Sequence, residues 1–475
     1  MELDFDFSKF PDKMKVRGYD RTELFSDKGS SSIVYTPGDL VEDILDLMPT
    51  EIWSNPDITF LNPCCKNGVF LDRIYWRLEE GLKEQIPSFI DRSDHIFTKQ
   101  LFGLALTDKQ ADISRGVLYG ASNASSPNVY TTRFKDREGN IKTLKLMVDG
   151  IECDYKQIIK EGSGTALQKT IEEAFGDMKF NVIIGNPPFQ EEKEGRVQSA
   201  SLYNRFMERA LEMNSMYICM ITRSTWFLGS EFCELRNKML DGNHIKSIVD
   251  YLDFKEVFPN VANISSGVSY FLYDKKYNGK CHFKNIHNGI STCEDRQLSD
   301  IKTFVEYGGR SMLSPIIIRY NEAVSIIHKI RAANHGNKGN MSNIVSSQTP
   351  FGFTSNSIEL FGDKPSKLRS IALRGSRNRI SYVSKLDVTK NIEWIDKYKT
   401  IIGMAVSGHI GEGESAKVIS TNEVIGPGTV CTQSFLVVGP SDTEDEAQNI
   451  LSYIRTKFVR FLVYVTMVSV TIAPA

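Results

Sequence analysis

Asn186, Pro187, Pro188 and Phe189 follow one another directly after an apolar run, 180–184, that is closed by Gly185. The run reads as a β-strand, and in an open α/β sheet the carboxyl ends of the strands are where ligands bind. Two consecutive prolines fix φ and have no N–H to donate, so the turn is stiff and its carbonyls act purely as acceptors. Asn186 adds a side-chain acceptor, and Phe189 a flat apolar ring. Such a group suits a planar amine. The nitrogen of an amino group on an aromatic ring is a poor nucleophile because its lone pair is conjugated into the ring. Two acceptors holding its hydrogens draw it toward tetrahedral geometry and free that pair, an electrostatic arrangement aimed at the transition state. The plainer alternative is an ordinary proline-rich turn with a buried Phe, so the tetrapeptide has to be read with its context.

That context starts upstream. Asn62-Pro63-Cys64-Cys65-Lys66-Asn67-Gly68 separates the apolar segment 58–61 from an amphipathic stretch, 69–82. This is strand, turn and helix, in which a tight turn and a helix N-terminus can receive the carboxylate end of a cofactor. Around it, helical spacing of apolar residues begins just after Pro37 and runs over 39–48. Segments 100–106, 180–184, 216–221 and 245–249 read as strands, and 108–118, 202–213 and a stretch around 231–240 as helices. The alternation predicts a parallel sheet covered by helices on both faces. Between 119 and 179 the pattern breaks into an insertion with one further strand at 143–148. Past Gly267, segments 268–273 and 281–286 read as antiparallel strands around an Asn278-Gly279 turn. A helix over 320–332 leads into a Gly/Asn/Ser-rich linker, 335–356. After it come ten cations, Lys364, Lys367, Arg369, Arg374, Arg377, Arg379, Lys385, Lys390, Lys397 and Lys399, against Asp387, Glu393 and Asp396.

Composition sets the frame. At 475 residues the chain exceeds what one core organises, so two domains are expected. Lys and Arg number 57 and Asp and Glu 59, a net charge of -2, so affinity for nucleic acid has to come from local clusters. The eight cysteines form no CxxC pair, which argues for free thiols in a reducing compartment. Residues 1–28 lack the apolar core of a signal peptide, and 458–475 is shorter than the roughly 20 residues of a spanning helix, so a cytoplasmic protein without a membrane anchor is expected. The end is read as a buried helix followed by a strand. Cys281, His282, His287 and Cys293 match no metal-ligand spacing, and no metal is expected.

With these motifs the chain resembles the amino-methyltransferases that use S-adenosylmethionine, whose first motif reads Asp-Pro-x-x-Gly-x-Gly-x-Phe. Asn62, Pro63, Gly68 and Phe70 occupy four of its places, while Asn62 stands where an acid is usual and Lys66 replaces the first glycine. Tyr35-Thr36-Pro37 is similar to the segment that precedes this motif and closes over the methionine moiety. The order of that segment, the cofactor turn, Asn-Pro-Pro-Phe and a C-terminal recognition region is the gamma arrangement of adenine-N6 DNA methyltransferases. Segments 101–108, 114–119, 222–227, 266–272, 427–432 and 453–458 are more narrowly similar to restriction-modification methylases often fused to a nuclease. The likeness covers most of 33–460.

The resemblance implies an α/β fold: a lead-in over 1–32, a Rossmann-like S-adenosylmethionine-dependent domain over 33–290, and an α+β DNA-recognition domain over 291–475. It assigns Asn186 and the Pro187 carbonyl to the amino group of a flipped adenine, with Pro188 stiffening the turn and Phe189 as the stacking ring. Tyr35, Thr36, Pro37, Asn62, Pro63, Gly68 and Phe70 would line the cofactor. The acid that usually ends the second strand and grips the ribose is replaced by Ala105; Asp108 is its substitute or simply a helix cap. Asp154 is the candidate for the cofactor adenine or a solvated loop acid. Arg369, Arg374, Arg377, Arg379 and Lys385 would meet double-stranded DNA, if they are not merely a solvated face. About 30 residues precede Tyr35, too few for a nuclease domain, so cleavage would belong to a restriction subunit on another chain. The resembling proteins commonly run on beyond the recognition region, which marks Ala475 as a candidate truncation point. N4-cytosine, an RNA base or a protein glutamine amide are alternative acceptors. From another class comes a non-catalytic DNA-binding or specificity subunit with a degenerate cofactor site.

Overall fold

The computed structural model describes residues 34–105, 108–119, 129–130, 133–135, 141–143, 146–148, 151–153, 179–189, 201–259, 266–307, 310–333, 341–404, 418–419 and 421–467. The chain forms two compact units, one of Met1–Ser224, Asn237–Ile264 and Val268–Leu298, the other of Thr225–Arg236, Ser265–Gly267 and Ser299–Ala475.

In the first unit, α1 (Gly38–Leu45) starts directly after Pro37 and buries Leu40, Val41, Ile44 and Leu45. Strand β1 (Phe60–Asn62) is buried at every position. It turns into α2 (Val69–Gly81), whose preceding Gly68 is left-handed at φ 79° and offers no side-chain cap. A glycine in place of a capping side chain costs only about a few tenths of a kcal/mol, whereas Ile74 and Leu78 are fully enclosed, each worth about 1.5–3 kcal/mol. Burial therefore outweighs capping in placing this helix. Next come α3 (Phe89–His95), β2 (Leu101–Leu104), α4 (Asp108–Tyr119) and β3 (Val129–Tyr130). Two short hairpins follow, β4 (Arg133–Lys135) with β5 (Ile141–Thr143), and β6 (Leu146–Val148) with β7 (Ile151–Cys153), where a single further strand was expected. The unit continues with β8 (Val182–Gly185), α5 (Tyr203–Glu212), β9 (Tyr217–Arg223), β10 (Ile245–Tyr251), β11 (Val268–Asp274), β12 (Cys281–His287) and β13 (Ile290–Arg296).

These strands form one nine-stranded sheet in the order β13-β12-β10-β11-β9-β8-β1-β2-β3. From β9 to β3 every pairing is parallel, and the runs are apolar on both faces, as strands covered on both sides must be. Beyond β9 the parallel order gives way to the antiparallel strand expected past Gly267: β11 lies antiparallel to both β9 and β10 and separates them. The expected pairing of β11 with β12 is corrected, since β12 runs parallel to β10 on that strand's other side. The reason is burial. The first five residues of β11 are all buried, which seats the strand inside the sheet, whereas β12 alternates buried and exposed positions near the edge. The chain runs outward from β1 to β2 and β3, then returns to lay β8 on the other side of β1, so the sheet has its switch point between β1 and β8. A crevice opens at such a point, at the carboxyl ends of the strands.

The second unit contains a hairpin of β14 (Lys302–Tyr307) and β15 (Arg310–Pro315), helix α6 (Asn321–Ala333), and two three-stranded sheets. One joins β16 (Ile371–Arg374) to β17 (Ile380–Val383) and β20 (Thr429–Cys431); the other joins β18 (Tyr398–Gly403) to β19 (Asn422–Ile425) and β21 (Phe435–Ser441). The chain then forms α7 (Glu444–Ile454) and α8 (Lys457–Val465). Alternation along β18 and β21 divides two cores. Ile401 and Val437 face a cluster with Phe351, Leu373, Val383 and Val430, while Ile402, Leu436 and Val438 face one with Ile454 and Met467. The linker expected over 335–356 is corrected for its described part. Phe351 and Phe353 are core residues, and Ser346 N donates to Val437 O at 2.8 Å. Gly, Asn and Ser dominate that stretch, but its two aromatics decide its fate. The helix expected near the end is α8, and the strand expected after it lies outside the described residues. Among the described residues no helix is long and apolar enough to cross a membrane.

Candidate active site

Register places the two motifs side by side. Phe60 pairs with Val182 and Leu61 with Ile183, so Asn62 ends β1 where Gly185 ends β8. The approach is tight enough to require glycine: a Cβ on Gly185 would lie 2.6 Å from Asn62 Oδ1. Asn62 Oδ1 accepts from Cys64 N at 3.1 Å and so closes the turn locally. The turn is fixed further by Cys65 N donating to Leu104 O at 2.9 Å and by Ser114 Oγ donating to Lys66 O at 2.9 Å. Gly68 packs on α4, where a Cβ would come 3.1 Å from Ser114 Cα. Pro63 is buried, and Phe70 points into the core.

Asn186 is 2% exposed. Its Nδ2 donates to Val34 O at 3.1 Å and to Thr36 Oγ1 at 2.9 Å, which ties the turn after β8 to the segment before α1. Tyr35 is half-buried and Pro37 exposed. Asn186 Oδ1 and Asn62 Nδ2 are both buried with no hydrogen-bond partner in the structure. Two orphaned polar atoms at the switch point mark a place for a polar ligand. The Cys64 thiol accepts from the Asn186 backbone, and burial pushes its pKa up to about 12, so it is neutral. Pro187 is buried and Pro188 half-buried. Phe189 is 5% exposed and meets Tyr203 and Phe254 edge-to-face, each with centroids 6.4 Å apart.

Lys66 is 6% exposed, and its Nζ donates to Val34 O at 2.7 Å. Lys66 and Asn186 thus converge on one carbonyl oxygen. Burial lowers the Lys66 pKa to about 8, and the neighbour that opposes this is the Cys64 thiol. Its φ is 45°, in the left-handed region. Neither Val34 nor Lys66 stood among the expected site residues. The contact between Asn186 and Val34 spans 152 positions of sequence, and a backbone carbonyl leaves no signature there. Lys66 was visible only as a departure from a glycine.

Ala105 is fully buried just after β2. Asp108 opens α4, and its side chain lies outside the described residues, as does Asp154 altogether.

In the second unit the basic run divides. Arg374 pairs with Glu423 at 3.0 Å and Arg379 with Glu359 at 2.9 Å, while Arg377 is exposed in the β16–β17 turn. Arg369 and Lys385 are exposed at the other end of that ladder, because Ile371 pairs with Val383. The two turns there are neighbours, since the Arg369 charge helps lower the Asp387 pKa. Lys399 does not belong to a basic face. It is fully enclosed and donates to Trp394 O and Ile395 O at 2.9 and 3.0 Å.

Residues 99–258 match the family described as Eco57I restriction-modification methylase. An uncharacterized adenine-specific methylase of Mycoplasma pneumoniae is 31% identical over 303 residues, covering 55% of this chain and 71% of that relative. Among solved structures, a nuclease-deletion mutant of the Type ISP restriction-modification enzyme LlaGI in complex with a DNA substrate mimic aligns at a TM-score of 0.49 and 12% identity, over 93% of this chain and 45% of that one. The Type IIL enzyme MmeI in complex with DNA aligns at 0.44 and 13% identity, over 87% and 62%. The chain spans less than two thirds of either solved protein.

Proposed function

The chain belongs to the adenine-specific methylases of the restriction-modification type, and from that premise we propose that it transfers a methyl group from S-adenosylmethionine to the N6 amino group of an adenine flipped out of duplex DNA. The observation that carries this reading is the meeting of the Asn62–Gly68 turn and Asn186 at the switch point, with Asn186 Oδ1 and Asn62 Nδ2 left without partners in a buried site. The residues fit the cofactor: Thr36, Asn62 and the turn ending at Gly68 would hold its methionine and ribose side, and Phe70 secures the helix behind. When bound, S-adenosylmethionine supplies an electrophilic methyl group on a sulfonium.

The chain's own part is positioning. Asn186 Oδ1 and the Pro187 carbonyl accept the two hydrogens of the adenine amino group and draw its lone pair out of conjugation. Thr36 and Val34 hold the Asn186 amide in the orientation that leaves Oδ1 to accept. Pro188 limits the motion of the turn, and Phe189 offers a ring to the flipped base. Extrusion costs a few kcal/mol, which contacts to the base and the strand offset. Residues 33–290 are assigned to the methyltransferase domain and 291–475 to target recognition, with Arg369, Arg377 and Lys385 on phosphates and Arg374 and Arg379 supporting them through their ion pairs. Asp108 and Asp154 would be further cofactor contacts, with a helix cap and a solvated loop acid as their plainer roles. A restriction partner, where there is one, would be another chain.

The test is transfer of labelled methyl from S-adenosylmethionine to unmethylated genomic DNA, with nucleoside analysis and Asn186→Ala as control. Label in N6-methyladenine that falls by about 100-fold or more in the variant supports both reaction and site. Absence of label from a folded protein that still binds DNA would move the reading to a non-catalytic or partner-dependent subunit.

A further inference from the structure

We propose that the Lys66 ammonium is the counter-ion of the cofactor's carboxylate, so that the lysine standing at the usual glycine position is a ligand in this chain. The proposal deepens the function given above and rests on it. The geometry supplies a buried cation without an anion. Lys66 is 6% exposed, forms no ion pair among the described residues, and uses one N–H, toward Val34 O. An ammonium has three. Its charge-favouring neighbour is the Cys64 thiol, which is neutral.

Two costs coincide at this residue. A buried charge without a partner is destabilising, and a left-handed φ of 45° in a residue with a Cβ is strained. A glycine would remove both. Their presence together is explained if an anion arrives, and α2, starting three residues later, turns its positive end toward the same turn. S-adenosylmethionine has one anionic group, its carboxylate. The placement is apt as well: Lys66 Nζ and Asn186 Nδ2 donate to the same Val34 O, which puts the cation beside the side chain that would hold the target amine.

The experiment compares S-adenosylmethionine with decarboxylated S-adenosylmethionine, which differs only in the carboxylate, by calorimetry on the whole chain. The wild type is expected to favour the carboxylate form by about tenfold or more, and Lys66→Met and Lys66→Gln to bind both forms within about threefold, the signature of a coupled pair. Lys66→Gln keeps a donor for Val34 O and separates charge from packing, and thermal melts establish that each variant is folded. Equal affinity of the wild type for both ligands would overturn the proposal without recourse to any variant. So would full discrimination in the variants, which would leave the methyltransferase reading standing. Binding of neither ligand by the wild type would bring down that reading and the proposal with it.

Discussion

Asn186 illustrates how a single side chain can be fixed by groups far from it in sequence. Its two amide hydrogens go to Val34 O and Thr36 Oγ1, so its oxygen is presented by default. Thr36→Val removes one of these bonds and is expected to lower kcat about fivefold, a net loss near 1 kcal/mol, with little change in KM for DNA; steady-state kinetics would show it. Lys399 is a residue whose burial has a measurable pH signature. Desolvation lowers its pKa to about 8 from 10.5. Between those values the unfolded chain holds a proton that the folded chain has released, so this group's contribution to stability rises with pH across the interval. Lys399→Met should therefore be favourable at pH 7, and its advantage over wild type should shrink by pH 10, by on the order of 2–3 kcal/mol. The two carbonyls would remain satisfied by Lys397 N and Gly428 N. Denaturant melts at the two pH values measure the difference; an unchanged difference would refute the assignment.

Elements carry the next level of constraint. β1 and β8 end so close together that Gly185→Ala would press a methyl group onto Asn62 Oδ1 at 2.6 Å. Overpacking of this kind costs about 1–3 kcal/mol. Because the strain falls on Asn62, cofactor affinity should drop along with the melting temperature, and calorimetry beside a thermal melt would show both. The β16–β17 ladder separates cations that are adjacent in sequence. Arg374 and Arg379 are engaged by acids, whereas Lys367, Arg369 and Lys385 are exposed together at the opposite end. If that end meets DNA, alanine at all three should reduce the slope of log K against log salt by about 0.9 for each phosphate no longer neutralised. Removing Lys399, which is enclosed, should leave the slope unchanged, and fluorescence anisotropy across a salt series tests both.

At the scale of the molecule, sequence order and compact units do not coincide. Thr225–Arg236 belongs with Ser299–Ala475, and within that unit Arg236 donates to Trp226 O and Gly229 O and to Ser314 and Pro315. A fragment over 33–290 would therefore leave a fully buried guanidinium and the enclosed Trp226 and Phe227 without the partners from 299 onward, and would cut β13 near its start. The fragment should be less soluble than the whole chain and melt lower, while one extended through α8 should not.

What the sequence determined by itself was local: the strand ending at Gly185, the turn ending at Gly68, the helix after Pro37. Each is set by apolar periodicity or by φ restrictions acting over a few residues, and the family likeness rests on the same segments. Tertiary structure decided what depends on distant partners. It seated β11 antiparallel between β9 and β10, because a strand apolar on both faces gains most inside the sheet. It drew Phe351 and Phe353 from a loop-like stretch into a core, and enclosed Lys399 while leaving Lys385 exposed. It also brought Lys66 and Asn186 to one carbonyl of Val34, a meeting that register and crossover fix and that no spacing along the chain encodes.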